Sequence, residues 1–134
     1  MVINSSGNVG IGTTSPTHLL ELNGGAYCDG TGDWITGSDV NYKKDISDLT
    51  DYGLAEIMNL RPIRYVHKAD ESERVQLGLI AQEVKPVIPE VVDGEDGHMG
   101  IGYSKFVPVL INAIKELKAQ NDALKARVEV LEAK

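Results

Sequence analysis

The feature that most constrains the fold is a heptad repeat of apolar residues near the carboxyl end of the chain. These residues are spaced alternately by three and four positions from residue 107 to residue 131. The spacing puts them on one stripe of a helix, and its persistence over more than three heptads predicts a coiled coil over residues 104–134. The a positions are Val107, Ile114, Asn121 and Val128, and the d positions are Leu110, Leu117, Leu124 and Leu131.

The residues in and beside this seam favour a partner helix. Asn121 is its polar member, and a buried Asn at an a position fixes register at a cost in stability. Charged residues flank the seam, and Arg127 and Glu132 occupy g and e positions that can pair across a parallel interface. β-branched residues at a with Leu at d favour dimers in model coiled coils. The alternative is a helix that packs on its own domain.

The composition indicates a globular protein with a small core. The chain has 134 residues and a net charge of −7, which fits one modest domain with appendages. Seven aromatic residues are too few for a large core, so we expect oligomerisation. The acidic balance argues against nucleic acid as a partner. No run of 18 apolar residues is present, which predicts no membrane contact, and the first residues lack the features of a secretory signal.

Two further regions precede the predicted helix. Residues 1–37 contain eight of the fourteen glycines and short apolar bursts, which predicts a glycine-rich β segment of short strands and tight turns. Residues 38–103 are mixed, with a predicted helix capped by Thr50 and ended at Arg61-Pro62, then short strands and a short helix. Ser104 is predicted to cap the long helix. The expected fold class is α+β, with a small mixed head and a long C-terminal coiled-coil helix.

Most familiar chemical sites are not indicated. The three histidines are scattered and Cys28 is the single cysteine, so no zinc pattern and no internal disulfide are present. The acidic stretch DGEDGH lacks the alternating ligands and closing Glu of a calcium loop. No P-loop occurs, and GNVGIG is not followed by a helix. We therefore expect no metal, no cofactor and no small-molecule substrate.

A serine and a lysine at the compositional boundary offer a different chemistry. Ser38-Asp39 follows Gly37, and Lys43 lies five residues after the serine, with Lys44 as a neighbouring rival. A lysine whose pKa is lowered by burial can take the proton of a serine hydroxyl, which makes that hydroxyl nucleophilic. Gly37 would leave its own carbonyl open to attack. The spacing alone is weak evidence, because Ser38-Asp39 is equally suited to capping a helix.

Four blocks of the sequence together resemble a known family. They are SDVNYKKDISDL, the helix ending in LRPIRYVH, LGLIAQEVKPVIPEVV, and IGYSKFVPVLINAIKELK. In this order, over about residues 38–131, they are similar to the endosialidase-type intramolecular chaperone domain at the C-terminus of phage tail fibres and tailspikes. Residues 1–37 are similar to segments found just upstream in fibre proteins.

The resemblance implies an activity and site residues. It implies a homotrimer that registers three fibre chains and then releases itself by autoproteolysis, as a single-turnover serine endopeptidase. The implied catalytic dyad is Ser38 and Lys43, the implied scissile bond is Gly37–Ser38, and Asp39 supports the site.

The resemblance also implies a domain organisation. Residues 1–37 would be the end of the fibre β region, residues 38–103 the chaperone and protease head, and residues 104–134 the trimerisation helix. The expected partners are the other copies of the chain and the upstream fibre segment. Assembly is expected in the host cytoplasm, with the parent fibre in the virion tail and the chaperone released after cleavage. The alternative is a structural trimerisation cap that does not cleave.

Overall fold

The computed structural model describes residues 1–23, 25–28, 30 and 33–133. These residues form two compact units, residues 1–47 and residues 48–134. Short strands and helices precede a long C-terminal helix, which confirms the predicted α+β class. The division predicted at residues 37 and 38 concerns the scissile bond, and it stays a prediction.

The first unit is built on a five-stranded sheet of very short strands. Their order in the sheet is their order in the sequence. Strands β2 and β3 are parallel, and every other pair is antiparallel. A 3-10 turn, Val40–Tyr42, follows the sheet. The strands are β1 Val2–Ile3, β2 Val9–Ile11, β3 Leu20–Leu22, β4 Tyr27–Cys28 and β5 Trp34–Ile35.

The loop between the parallel strands lies against one face of this sheet. Gly10 of β2 and Pro16 of the loop are buried, and a side chain at residue 10 would collide with the Thr13 carbonyl oxygen. The Pro16 carbonyl oxygen accepts hydrogen bonds from the side-chain amides of Asn4 and Asn8, at 2.8 and 3.2 Å. A glycine in β2 thus lets the crossover loop approach the strand closely.

The second unit contains two pairs of antiparallel strands and the helices. Strand β6 pairs with β7, and β8 pairs with β9, both antiparallel. Two 3-10 turns, Pro89–Val91 and Tyr103–Lys105, precede β8 and the last helix. The elements are α1 Leu54–Met58, β6 Ile63–Val66, β7 Val75–Gly78, α2 Ala81–Val84, β8 Val92–Asp93, β9 Gly100–Ile101 and α3 Phe106–Glu132.

The two predicted helix caps are wrong. Helix α1 begins after Gly53, whose N–H donates to the Glu56 carboxylate at 2.8 Å, while the Leu54 N–H donates to Glu116 at 3.1 Å. A carboxylate on α3, 62 residues away, therefore takes the role that Thr50 was predicted to have. Ser104 lies inside the 3-10 turn, so α3 begins two residues later than predicted.

The core of the second unit lies between α2, the 3-10 turn at residues 89–91 and the start of α3. Burying each such side chain contributes about 1.5–3 kcal/mol. The Asn112 side chain of α3 fixes the segment before α1 by donating to the carbonyl oxygens of Leu49 and Tyr52, at 2.7 and 3.1 Å. The core residues are Val84, Ile88, Val91, Phe106 and Val109.

Candidate functional site

A capped turn brings the predicted catalytic residues together. After β5 the chain passes through Gly37 and Ser38 into the 3-10 turn Val40–Tyr42. The Asp39 carboxylate caps this turn by accepting hydrogen bonds from the Asn41 N–H and from the Asn41 side-chain amide, each at 2.8 Å. The Lys43 N–H closes the turn on the Val40 carbonyl oxygen at 3.0 Å. The turn reverses the chain, so residues five positions apart become neighbours.

Lys43 contacts the Ser38 hydroxyl directly. Its Nζ lies 2.7 Å from Ser38 Oγ and donates a hydrogen bond to it. For the rival Lys44, no bond to Ser38 is present within the described residues. Ser38 and Lys43 are both exposed in the single chain. The pair has the geometry of a nucleophile and its base, because proton transfer requires heavy atoms about 2.6–3.2 Å apart.

The peptide before Ser38 is held by close backbone packing. Gly37 is half-buried, and an added Cβ there would lie 3.0 Å from the Gly25 carbonyl oxygen and 3.2 Å from two ring carbons of Tyr42. Gly25 has φ +82°, and the Tyr42 ring lies against it as well. The sequence suggested that glycine leaves the carbonyl of residue 37 open. In the structure, glycine at 37 is also what lets the upstream turn and the Tyr42 ring approach this peptide.

The same peptide borders a cavity of about 430 Å³. Ser38 and Asp39 line one part of it, and Glu21 and Tyr27 of the upstream sheet line another, together with His18 of the loop before β3. The His18 ring stacks on Tyr27 with centroids 3.5 Å apart. His18 Nδ1 lies 3.3 Å from Glu21 Oε2.

Hydrogen bonds stabilise the charged form of the Glu21 carboxyl. The Thr17 N–H donates to Glu21 Oε2 at 2.8 Å, and His18 contacts the same oxygen. These contacts, the Thr17 bond first, hold the pKa of Glu21 below its ordinary value. Sequence reasoning treated His18 as an isolated polar residue and did not consider Glu21. Glu21 lies beside Tyr27 because β3 pairs with β4, and no local motif marks this arrangement.

The predicted seam residues lie on a face of α3 that its own domain does not cover. Helix α3 turns Phe106, Val109 and Ala113 into the core. The first three seam residues each follow one of these core residues by one position in the sequence, so the seam points away from the core. The seam residues are exposed, with Ile114 at 66% and Leu117 at 55%. The first turns of α3 thus pack on their own domain, whereas the seam residues stay exposed in the single chain. We call these residues the heptad stripe: Val107, Leu110, Ile114, Leu117, Asn121, Leu124, Val128 and Leu131.

Neither a candidate metal site nor a candidate membrane span occurs among the described residues. No three His, Cys, Asp or Glu side chains in this part of the chain are grouped to hold a metal ion. None of the described helices is long and apolar enough to cross a membrane.

Part of the chain matches a protein family model. Residues 38–93 match the family model described as the chaperone of endosialidase, whose name also classes it among the peptidases. The match confirms the resemblance inferred from the sequence, and it supports a chaperone role of the endosialidase type. It begins at Ser38 and ends before α3, so residues 1–37 and the heptad stripe lie outside it.

Proposed function

We propose, proceeding from the match of residues 38–93 to chaperones of endosialidase, that this chain is a self-cleaving trimerisation chaperone of a phage tail fibre or tailspike. Three copies associate through the heptad stripe and bring three fibre chains into register. Ser38 and Lys43 then cut the Gly37–Ser38 bond and free residues 38–134. The single observation that carries the proteolytic part is the 2.7 Å contact between Lys43 Nζ and Ser38 Oγ.

The proposed cleavage is an attack by Ser38 on the peptide bond at its own nitrogen. Lys43, as a neutral amine, takes the hydroxyl proton while Oγ bonds to the Gly37 carbonyl carbon. The C–N bond then breaks and Lys43 returns the proton to the Ser38 nitrogen, which leaves Gly37 as an ester on Oγ. Water hydrolyses this ester, giving a carboxyl group at Gly37 and a free amino group and hydroxyl at Ser38.

The exposure of the dyad in the single chain gives the reaction its timing. A lysine works as a base near neutral pH only when its ammonium form is desolvated. Lys43 is exposed in the single chain, so water reaches its amine there. We infer that association of the chains removes water from this lysine, so that cleavage follows assembly.

The exposed heptad stripe supports self-association. Large apolar side chains along a helix that its own domain leaves uncovered have a strong tendency to be buried by another surface. The residue types at a and d fit a dimer. We nevertheless propose a trimer, because the head, residues 38–103, would hold the helices in place in addition to the seam. Aligning three chains has an entropic cost that comes before their long-range contacts form. A parallel coiled coil that forms early would offset this cost, because it sets the register of the chains.

Cleavage would make the fibre stable for kinetic reasons. Once residues 38–134 leave, the fibre cannot return along the route by which it assembled. Its persistence then depends on the height of the unfolding barrier rather than on an equilibrium. The proposal locates assembly in the host cytoplasm, the parent fibre in the virion tail and the released chaperone outside the fibre.

The exposure of both dyad residues also favours a second candidate, a trimerisation cap that does not cleave. Intact mass spectrometry of freshly folded protein over time distinguishes the two. The proposal expects a fragment that begins at Ser38, its loss in Ser38→Ala and Lys43→Ala, and normal cleavage in Lys44→Ala, the matched control. An uncut chain whose mass is the same in wild type and Ser38→Ala would eliminate the proteolytic part and leave the cap.

A further inference from the structure

The proposed cleavage consists of two steps, and each of them needs a base. In the first step, Lys43 takes the proton of the Ser38 hydroxyl. In the second step, water attacks the Gly37 ester, and a base that takes a proton from this water makes the attack faster. Lys43 is not among the described residues that line the cavity beside the scissile peptide, whereas His18 is.

The strand register brings the upstream sheet to the same cavity. Glu21 of β3 pairs with Tyr27 of β4, and Tyr27 pairs with Ile35 of β5, so these three side chains share one face of the sheet. Ile35 lies two residues before Gly37, and all four residues line the cavity. His18 is stacked on Tyr27 with ring centroids 3.5 Å apart. Strand pairing therefore puts an imidazole on the cavity that the scissile peptide borders.

This cavity has room and polar neighbours for water. A water molecule occupies about 30 Å³ in the liquid, so a cavity of about 430 Å³ can hold several. Its lining includes residues whose side chains contain oxygen, among them Thr17, Ser38 and Asp39. Ser38 and Asp39 are exposed in the single chain, so water can enter from outside. The water that hydrolyses the ester can thus approach it from this cavity.

Hydrogen bonds assign which nitrogen of the His18 ring can accept a proton. The Thr17 hydroxyl donates its one proton to Glu21 Oε2 at 3.1 Å. It cannot donate the same proton to His18 Nδ1, which lies 3.0 Å away. Nδ1 therefore carries the ring hydrogen and donates it towards the oxygens of Thr17 and Glu21. In the neutral ring, Nε2 is then unprotonated and free to act as a base.

The Glu21 carboxylate supports this base in two ways. Its bond with Nδ1, together with the stacking on Tyr27, fixes the orientation of the His18 ring. Its negative charge stabilises the imidazolium that forms when Nε2 takes a proton. A base that a third group orients in this way is the arrangement expected of a general base in catalysis.

On the basis of the proposed self-cleavage, we propose that His18 is the general base for hydrolysis of the Gly37 ester and that Glu21 is its positioning residue. His18 Nε2 takes a proton from water while the water oxygen bonds to the ester carbonyl carbon. The bond from that carbon to Ser38 Oγ then breaks, and the imidazolium returns its proton to Oγ. The products are the carboxyl group of Gly37 and the hydroxyl of Ser38.

The two halves of the machinery then lie on opposite sides of the cut. Ser38 and Lys43 belong to the part that would be released, whereas His18 and Glu21 belong to residues 1–37. These upstream residues lie outside the region that matches the family model. The upstream segment would therefore determine how fast the second step proceeds.

Hydroxylamine separates the two steps, because it attacks an ester without help from a base of the protein. It converts the ester into a hydroxamate at Gly37 and frees the Ser38 hydroxyl. The release of a fragment beginning at Ser38 is followed by intact mass spectrometry, in buffer and in hydroxylamine, for wild type and His18→Gln. The matched control is His98→Gln, which alters an exposed histidine of the second unit. Ser38→Ala forms no ester and shows any cut that hydroxylamine makes by itself.

The expected effect of His18→Gln is a loss in buffer that hydroxylamine repairs. A general base contributes about 10²–10⁴-fold, so release in buffer should slow about 100-fold. Hydroxylamine should restore release and give an upstream fragment that ends in the Gly37 hydroxamate. Glu21→Gln should show the same pattern to a smaller extent, and His98→Gln should behave as wild type.

The other outcomes separate this role of His18 from the proposed function. Release from His18→Gln at the wild-type rate in buffer would overturn the role and leave the proposed self-cleavage standing. Slow release that hydroxylamine does not restore would also overturn it, because His18 would then act before the ester forms. A wild-type chain that stays uncut with and without hydroxylamine would remove the proposed self-cleavage and the role of His18 together.

Discussion

Replacing Gly37 with alanine tests whether the close packing around the scissile peptide matters for cleavage. The new Cβ would lie 3.0 Å from the Gly25 carbonyl oxygen and 3.2 Å from the Tyr42 ring. Both distances are shorter than the optimal van der Waals separation of about 3.5 Å, so a neighbour must move by a few tenths of an ångström. The exposed Tyr42 ring can yield, but the Gly25 backbone is held in its turn, so residue 37 itself is displaced.

This displacement acts on the carbonyl that Ser38 attacks. A misplacement of about 1 Å can cost about 100-fold in rate, so a shift of a few tenths should slow cleavage about tenfold, on the order of 1.4 kcal/mol in barrier height. Denaturing electrophoresis over time measures the rate in Gly37→Ala. The matched control is Gly100→Ala, whose Cβ has no neighbour within 4 Å. Cleavage of Gly37→Ala at the wild-type rate would refute this account of the site.

Three further changes address the seam and the upstream loop. Leu117→Asp puts a charge in the heptad stripe but leaves the core untouched, so we expect folded monomers by sedimentation, and an unchanged oligomer would mean that the stripe is not the interface. Asn121→Ile should raise the thermal midpoint and broaden the range of oligomers, whereas a single unchanged species would count against a role in register. Because the pKa of Glu21 is lowered in the folded chain, its stabilising contribution is complete above the ordinary glutamate pKa and is lost as the pH falls through the lowered value. Glu21→Gln should therefore weaken the acid dependence of the thermal midpoint, and an identical pH profile would contradict this.

The sequence predicts secondary structure best where a short-range pattern repeats over many residues. The heptads define α3 because 3.6-residue periodicity continues over several turns, and glycine with short apolar bursts correctly predicts strands in residues 1–37. The caps were wrong because tertiary contacts determine them. Glu116, far along the chain, binds the start of α1, and a 3-10 turn occupies the residues before α3.

The candidate site shows the same limit. The resemblance selected Ser38 and Lys43 before any geometry was known, and the cap at Asp39 is a local signal that capping rules can detect. The packing of Gly25 and Tyr42 on Gly37 could not be predicted, because it depends on which strands pair. The parallel pairing of β2 with β3, which covers one sheet face with a loop, has no local signature either.

The packing of Tyr42 on Gly25 also affects what would follow the proposed cleavage. Residues 38–47 are grouped with the upstream sheet in one compact unit, although cleavage at residue 37 would assign them to the departing fragment. The severed ends would therefore remain side by side, held only by noncovalent contacts such as the ring of Tyr42 on the two glycines. For the chaperone to dissociate, the Tyr42 ring would have to lose its contacts with Gly25 and Gly37. Release of the chaperone would then require these contacts to break as well as the Gly37–Ser38 bond.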